Sequence, residues 1–173
     1  MKRLSIVTAA ILMAAIVALG ISALDPDPAA GSASGSKVRK CGGGKISLNA
    51  NEKRVFNLHN KARKQKNLRV LCVHPKLKKA ARSHSRDMLD RGYFAHGDTG
   101  ARLKRHGYRW RIYGENIGHN DTSPQAMHRS WMNSSDHRKN ILDRRFREIG
   151  VGAVRGDFQG SSVVMYTVDF GTR

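Results

Sequence analysis

Residues 149–170 read IGVGAVRGDFQGSSVVMYTVDF, and this stretch decides the fold class. Ile149, Val151 and Ala153 on one side, and the apolar, β-branched run Val163 to Phe170 on the other, flank a Gly156 to Gly160 turn, the pattern of a β-hairpin. Toward the N-terminus the period changes from two to that of helices. Ser135 to Leu142 forms one short helical segment, and Ser123-Pro124 opens another with cap and first-turn residues in their preferred places, carrying Trp131 inward. Thr99 to His106 reads as a short helix ending at Gly107. Pro75 opens a longer one, in which Leu77, Ala80, Ala81, His84 and Met88 share a stripe that excludes Lys78, Lys79, Arg82 and Arg86. Asn51 to Lys66 places Val55, Phe56, Leu58 and Ala62 at helical spacing. Helices first and paired strands last predict an α+β layered domain with antiparallel strands, spanning residues 50–173.

The flanks are of a different kind. Lys2 and Arg3 precede an uncharged, mostly apolar run from Leu4 to Leu24, the pattern of an export signal, either cleaved after its small residues or retained as an N-terminal anchor. Residues 25–49 hold 5 Gly, 2 Pro, 4 Ser and 3 Ala, so they read as a linker. The two cysteines, Cys41 and Cys72, would be exported together into an oxidising compartment, where a Cys41–Cys72 disulfide is expected, two free thiols being the alternative.

The 173 residues carry 32 Lys and Arg against 13 Asp and Glu, a formal charge of +19. Such a surface attracts polyanions. Two segments, Arg102–Arg111 with Tyr108 and Trp110 interleaved, and Arg138–Arg147, concentrate the positive charge. An exported protein meets wall polymers and anionic membrane surfaces before DNA, so nucleic acid is the less favoured of the polyanionic partners. The extracellular ligand itself is not specified, and a monomer is expected. No nucleotide cofactor is expected either. Gly42–Lys45 lacks the hydroxyl that a phosphate loop needs, and Gly150, Gly152 and Gly156 miss dinucleotide spacing and precede a strand. Ser135-Asp136-His137 are adjacent, which is no evidence for a triad assembled in space.

Eight short motifs in order carry a resemblance: His59-Asn-Lys-Ala-Arg63, Ala80 to Met88, Tyr93-Phe-Ala-His96, Gly114-Glu-Asn-Ile117, Trp131-Met-Asn-Ser134, His137 to Leu142, Ile149-Gly-Val-Gly152 and Phe170-Gly171. Together they resemble the CAP superfamily (the SCP domain of cysteine-rich secretory, antigen 5 and pathogenesis-related proteins) in its compact bacterial form, over about residues 50–171. The resemblance implies a three-layer α-β-α sandwich. It also implies a cleft lined by two histidines and two glutamates, and three of these groups map onto His96, Glu115 and His137. The second glutamate falls on Ser134.

By spacing alone, His96, Glu115 and His137 form no metal signature. Brought together as the resemblance implies, two imidazoles and a carboxylate suit Zn²⁺ or another divalent metal, with a fourth position left for water. Those three are the candidate metal ligands and, for any chemistry, the candidate catalytic residues. Hydrolysis would also need a general base; with Ser134 in place of the glutamate, Asp98, Asp136 and Glu148 are the remaining carboxylates considered. His84, Asn116, Arg138 and Ser134 are read as supports of the cleft. The favoured reading is a secreted or surface-tethered binding module. A secreted metal-dependent hydrolase, a basic polyanion-binding protein and, through the resemblance, a lipid-binding protein are the alternatives.

Overall fold

The computed structural model describes residues 36–120 and 122–173; the export segment 1–24 and residues 25–35 of the expected linker lie outside them. The elements run β1 (Ser36–Arg39), β2 (Lys45–Leu48), α1 (Ala50–Gln65), β3 (Cys72–Val73), α2 (Pro75–Asp90), α3 (Thr99–Arg105), β4 (Ile112–Asn120), α4 (Pro124–Asn133), α5 (Ser135–Leu142), β5 (Glu148–Phe158) and β6 (Ser161–Thr172). The main sheet has the order β3-β5-β6-β4, antiparallel except for the two-residue parallel pairing of β3 with β5.

The β5–β6 hairpin is tighter than the expected Gly156–Gly160 turn. Gly156, Asp157 and Phe158 remain paired with Val163, Ser162 and Ser161, and only Gln159 and Gly160 connect the strands. Both connecting residues have positive φ, 53° and 81°, as a two-residue hairpin turn demands. Strand β4, which the hydropathy pattern does not mark, adds to β6 and forms one edge of the sheet.

Helices cover both faces. Alternation along β5 sends Gly150 and Gly152 toward α2, where a Cβ would meet the Leu77 backbone at 2.1 Å and the Ala81 backbone at 2.5 Å. These glycines let the helix lie directly on the strand. On the opposite face Ile149, Val151, Val164, Tyr166, Val168 and Phe170 pack against Val55, Phe56, Met127, Trp131 and Ile141 of α1, α4 and α5. The result is the three-layer α-β-α sandwich. Helix starts follow from side chains: Asn49 and Glu52 form a reciprocal capping box on α1, and Ser123 caps α4 ahead of Pro124.

The linker reading of 25–49 is corrected over its second half. Residues 36–48 form the β1–β2 hairpin, whose Gly42, Gly43 and Gly44 all have positive φ in the turn. Composition misleads because turn glycines and linker glycines look alike, whereas Val38 and Leu48 are buried in the main core. Cys41 in that turn is disulfide-bonded to Cys72, and its amide donates to the Val73 carbonyl at 3.0 Å, so the hairpin is fastened to the start of the sheet.

Candidate functional site

The site forms where three segments meet at edge strand β4. The strand's alternation divides its residues between faces: Glu115 points toward α3, and Asn116 points toward α5. The loop between α2 and α3 brings His96 to Glu115. Helix α5 brings His137, whose backbone carbonyl accepts from Asn116 Nδ2 at 3.0 Å. Asn140 on the same helix donates to the Glu115 carbonyl at 3.0 Å and to Asn116 Oδ1 at 2.9 Å, covering the backbone of the edge strand.

Glu115 is buried, its side chain 3 % exposed, and both its oxygens are engaged. Oε1 lies 2.7 Å from His96 Nδ1 and accepts from Thr99 Oγ1 at 2.9 Å, and Oε2 is paired with the Arg102 guanidinium. Burial alone would raise the Glu115 pKa, but the His96 hydrogen bond and the Arg102 charge outweigh it and hold the carboxyl below its usual range. His96 itself is half exposed, at 52 %. Its Nδ1 is hydrogen-bonded to Glu115, so Nε2 is the ring nitrogen left for other partners. His137 Nδ1 lies 2.8 Å from Ser134 Oγ, so the residue standing at the position of the second glutamate orients the second imidazole. Burial, and then the neighbouring His96, lower the His137 pKa.

The other sequence candidates lie around these residues or away from them. His84 is buried on α2 with Nε2 3.0 Å from the Ala95 carbonyl, beneath the loop that carries His96. Arg138 is exposed and donates to the Met132 carbonyl at 2.8 Å, joining α5 to the end of α4. Asp98 caps α3, accepting from the Ala101 amide at 2.8 Å, and Glu148 accepts from Tyr108 at 2.6 Å and pairs with Arg173 at 3.0 Å. Asp136 lies in the first turn of α5. The two basic segments are partly consumed internally. Arg102 is buried against Glu115, Arg145 pairs with Asp143 at 2.6 Å, and Tyr108 is fully buried.

Sequence reasoning misses three participants. Composition groups Arg102 with surface charge, although its place three residues after Thr99 on α3 sets both on one face. Asn140 is hidden within its motif. Asp169, the Cα partner of Glu115 on β6, is fully buried, and no N–H or hydroxyl donor among the described residues reaches either of its oxygens. Burial, together with the Glu115 charge beside it, raises its pKa well above the carboxylate range. A lone acid inside the buried run Val163–Phe170 is the available signal.

As three direct metal ligands, His96, Glu115 and His137 do not fit. The Glu115 oxygens are taken by Arg102, Thr99 and His96. The carboxylate fits instead as the group that orients His96, which leaves one ring nitrogen on each histidine.

A layered α-β-α domain with two histidines brought to its edge strand is the class these features define. The chain belongs to the CAP, or cysteine-rich secretory protein, family, whose sequence profile covers residues 56–170. It is 40% identical over 113 residues to YkwD of Bacillus subtilis (strain 168), covering 62% of this chain and 44% of that one. The chain thus spans less than half the length of the curated relatives it matches. Among solved structures it is similar to an extracellular SCP-domain protein from Bacillus anthracis, with a TM-score of 0.63, 33% identity, and coverage of 71% of this chain and 40% of that one. It is also similar to a cysteine-rich secretory protein from Staphylococcus aureus, with a TM-score of 0.56, 25% identity, and coverage of 71% and 39%.

Proposed function

We propose that this CAP domain is an extracellular binding module, and that its cleft engages ligand through the free ring nitrogens of His96 and His137. The observation that carries this reading is the complete engagement of Glu115 by His96, Thr99 and Arg102. A hydrolase built on the same cleft needs a carboxylate able to take a proton from water, and Glu115 is committed to a buried cation and held ionised. Asp98 and Glu148 are engaged elsewhere. The extracellular setting is supported by the export-type N-terminus and by the B. anthracis relative, which is an extracellular protein.

His96 and His137 would hold a divalent ion such as Zn²⁺ through two imidazole nitrogens, the ligand or solvent completing its coordination. The bound ion would supply a positive anchor for an oxygen of the ligand. Calorimetric titration of the metal-stripped, full-length protein with Zn²⁺ tests this. Binding at pH 7.5 should weaken at pH 5.5, as protons compete for imidazole, and disappear in a folded H96A/H137A variant. Equal binding by the variant would refute the two-histidine site. Assays of the Zn²⁺-treated protein on peptide, ester and wall-fragment substrates should show no turnover; turnover abolished by H96A/H137A would overturn the binding-module reading in favour of a hydrolase.

A further inference from the structure

One exposed basic groove draws its Lys and Arg side chains from outside the two segments in which the sequence concentrates positive charge. Along α2, Lys79, Arg82 and Arg86 fall on one exposed face, at spacings of three and four residues. Opposite them lies the β5 strand. Its pairing with β3 ends at Ile149, so Ala153, Val154 and Arg155 follow on a stretch with no neighbouring strand on that side among the described residues. The Asn49 side chain bonds the Ala153 carbonyl at 3.0 Å and closes one end, and His106 stands at the terminus of α3. Between these walls is a groove of about 580 Å³.

The lining chemistry is selective. Lys79, Arg82, Arg86 and Arg155 contribute four permanent charges, and among the described residues no Asp or Glu lines the groove. The nearby acid Glu52 is buried and pairs with Arg82 at 2.5 Å, so it fixes that side chain without offering negative charge to the surface. No Phe, Tyr or Trp of the described residues lines the groove either. Single-stranded nucleic acid binding draws on aromatic platforms for base stacking, and those are missing here. The exposed large apolar side chains, Phe94 and Tyr113, are not among the lining residues, so the groove has no wedge for a bilayer. The Arg86 and Arg155 guanidinium forks and the Lys79 ammonium suit phosphate oxygens, which the forks bind through paired N–H donors, while Arg82 is held by Glu52.

We propose that the α2–β5 groove is a second binding site, separate from the histidine cleft, and that it takes a linear phosphodiester polymer without bases, of the polyol-phosphate kind. Such a chain is thin and flexible enough to lie along a concave wall, and its affinity rests on counterion release.

The test measures binding of a fluorescent glycerol-phosphate 12-mer to the full-length protein over a salt series, beside a dT 12-mer of matching charge. The K79Q/R86Q/R155Q variant spares the Arg82–Glu52 pair, and K61Q/K64Q/K66Q removes equal charge from an exposed part of α1 and the residue after it. The glycerol-phosphate probe should bind with an affinity that falls as salt rises. The groove variant should bind at least about tenfold more weakly, and its salt slope should drop by about 2, at roughly 0.7 for each phosphate it no longer neutralises. The α1 variant should stay within about threefold of the parent. Equal weakening in both variants would show diffuse attraction by net charge and overturn the site. Much tighter binding of the dT 12-mer would replace the proposal with nucleic-acid recognition, and affinity independent of salt would refute its electrostatic basis.

Discussion

Glu115 and Asp169 sit opposite each other on β4 and β6, and their surroundings assign them different charges. Glu115 is ionised against Arg102, so E115Q leaves a buried guanidinium without its counter-charge, at a cost of about 3–5 kcal/mol in urea unfolding. Burial and the Glu115 charge favour the neutral form of Asp169, and the unfolded chain, which ionises it freely, gains from that as pH rises above the usual carboxylate range. D169N should therefore equal or exceed the parent in stability at pH 7, with the advantage shrinking as pH falls toward about 4. A large loss at pH 7 in D169N would mean that this carboxylate is charged in the fold. Spacing does not give these charges: His96, Glu115 and His137 come through the resemblance, Asp169 shows in sequence only as a lone acid in an apolar run, and its pairing with Glu115 and that of Arg102 are defined where α3 and β6 meet β4.

Helix α2 lies so close to β5 that Gly150 and Gly152 are contact surfaces in their own right. G150A would drive a methyl group into the Leu77 backbone, and an expected loss of about 3 kcal/mol or more in chemical denaturation marks the displaced helix. The β1–β2 hairpin depends on a covalent link. Reduction, or the C41S/C72S pair, releases a closure spanning 31 residues and should lower stability by about 3–4 kcal/mol, with hydrogen exchange rising first in residues 36–48. Helix starts are legible because capping is local: Ser123-Pro124 and Pro75 mark them within a few residues. The hairpin is not, since three turn glycines resemble a linker until Val38 and Leu48 are seen in the core.

Across the whole molecule, acid sensitivity should come from imidazoles held neutral. His59 is fully buried between Trp131 and Phe170, with its Nδ1 3.2 Å from His128 Nδ1. Burial first, then His128 and Arg63, push its pKa well below the usual histidine value. His84, His74 and His128 are lowered in the same direction, each chiefly by burial. The unfolded chain binds these protons as pH falls through about 6.5 and the native state does not, so stability falls below that pH. Replacing His59 by Gln should remove up to one proton from that dependence, about 1.4 kcal/mol per pH unit, measured as the slope of unfolding free energy between about pH 6 and pH 5. An unchanged slope would place the acid sensitivity in the other histidines.

By itself, the sequence determined the class of fold, the helix starts, the disulfide partners and the family, because periodicity, caps and ordered motifs are local properties of the chain. Tertiary structure decided which charges are spent and which are free. Arg102 and Lys79 look equivalent in sequence, but one is drawn into the fold by a buried carboxylate and the other is left on an open groove. That division depends on distance and desolvation between segments far apart in the chain, which only the packed sheet and its two helical layers define.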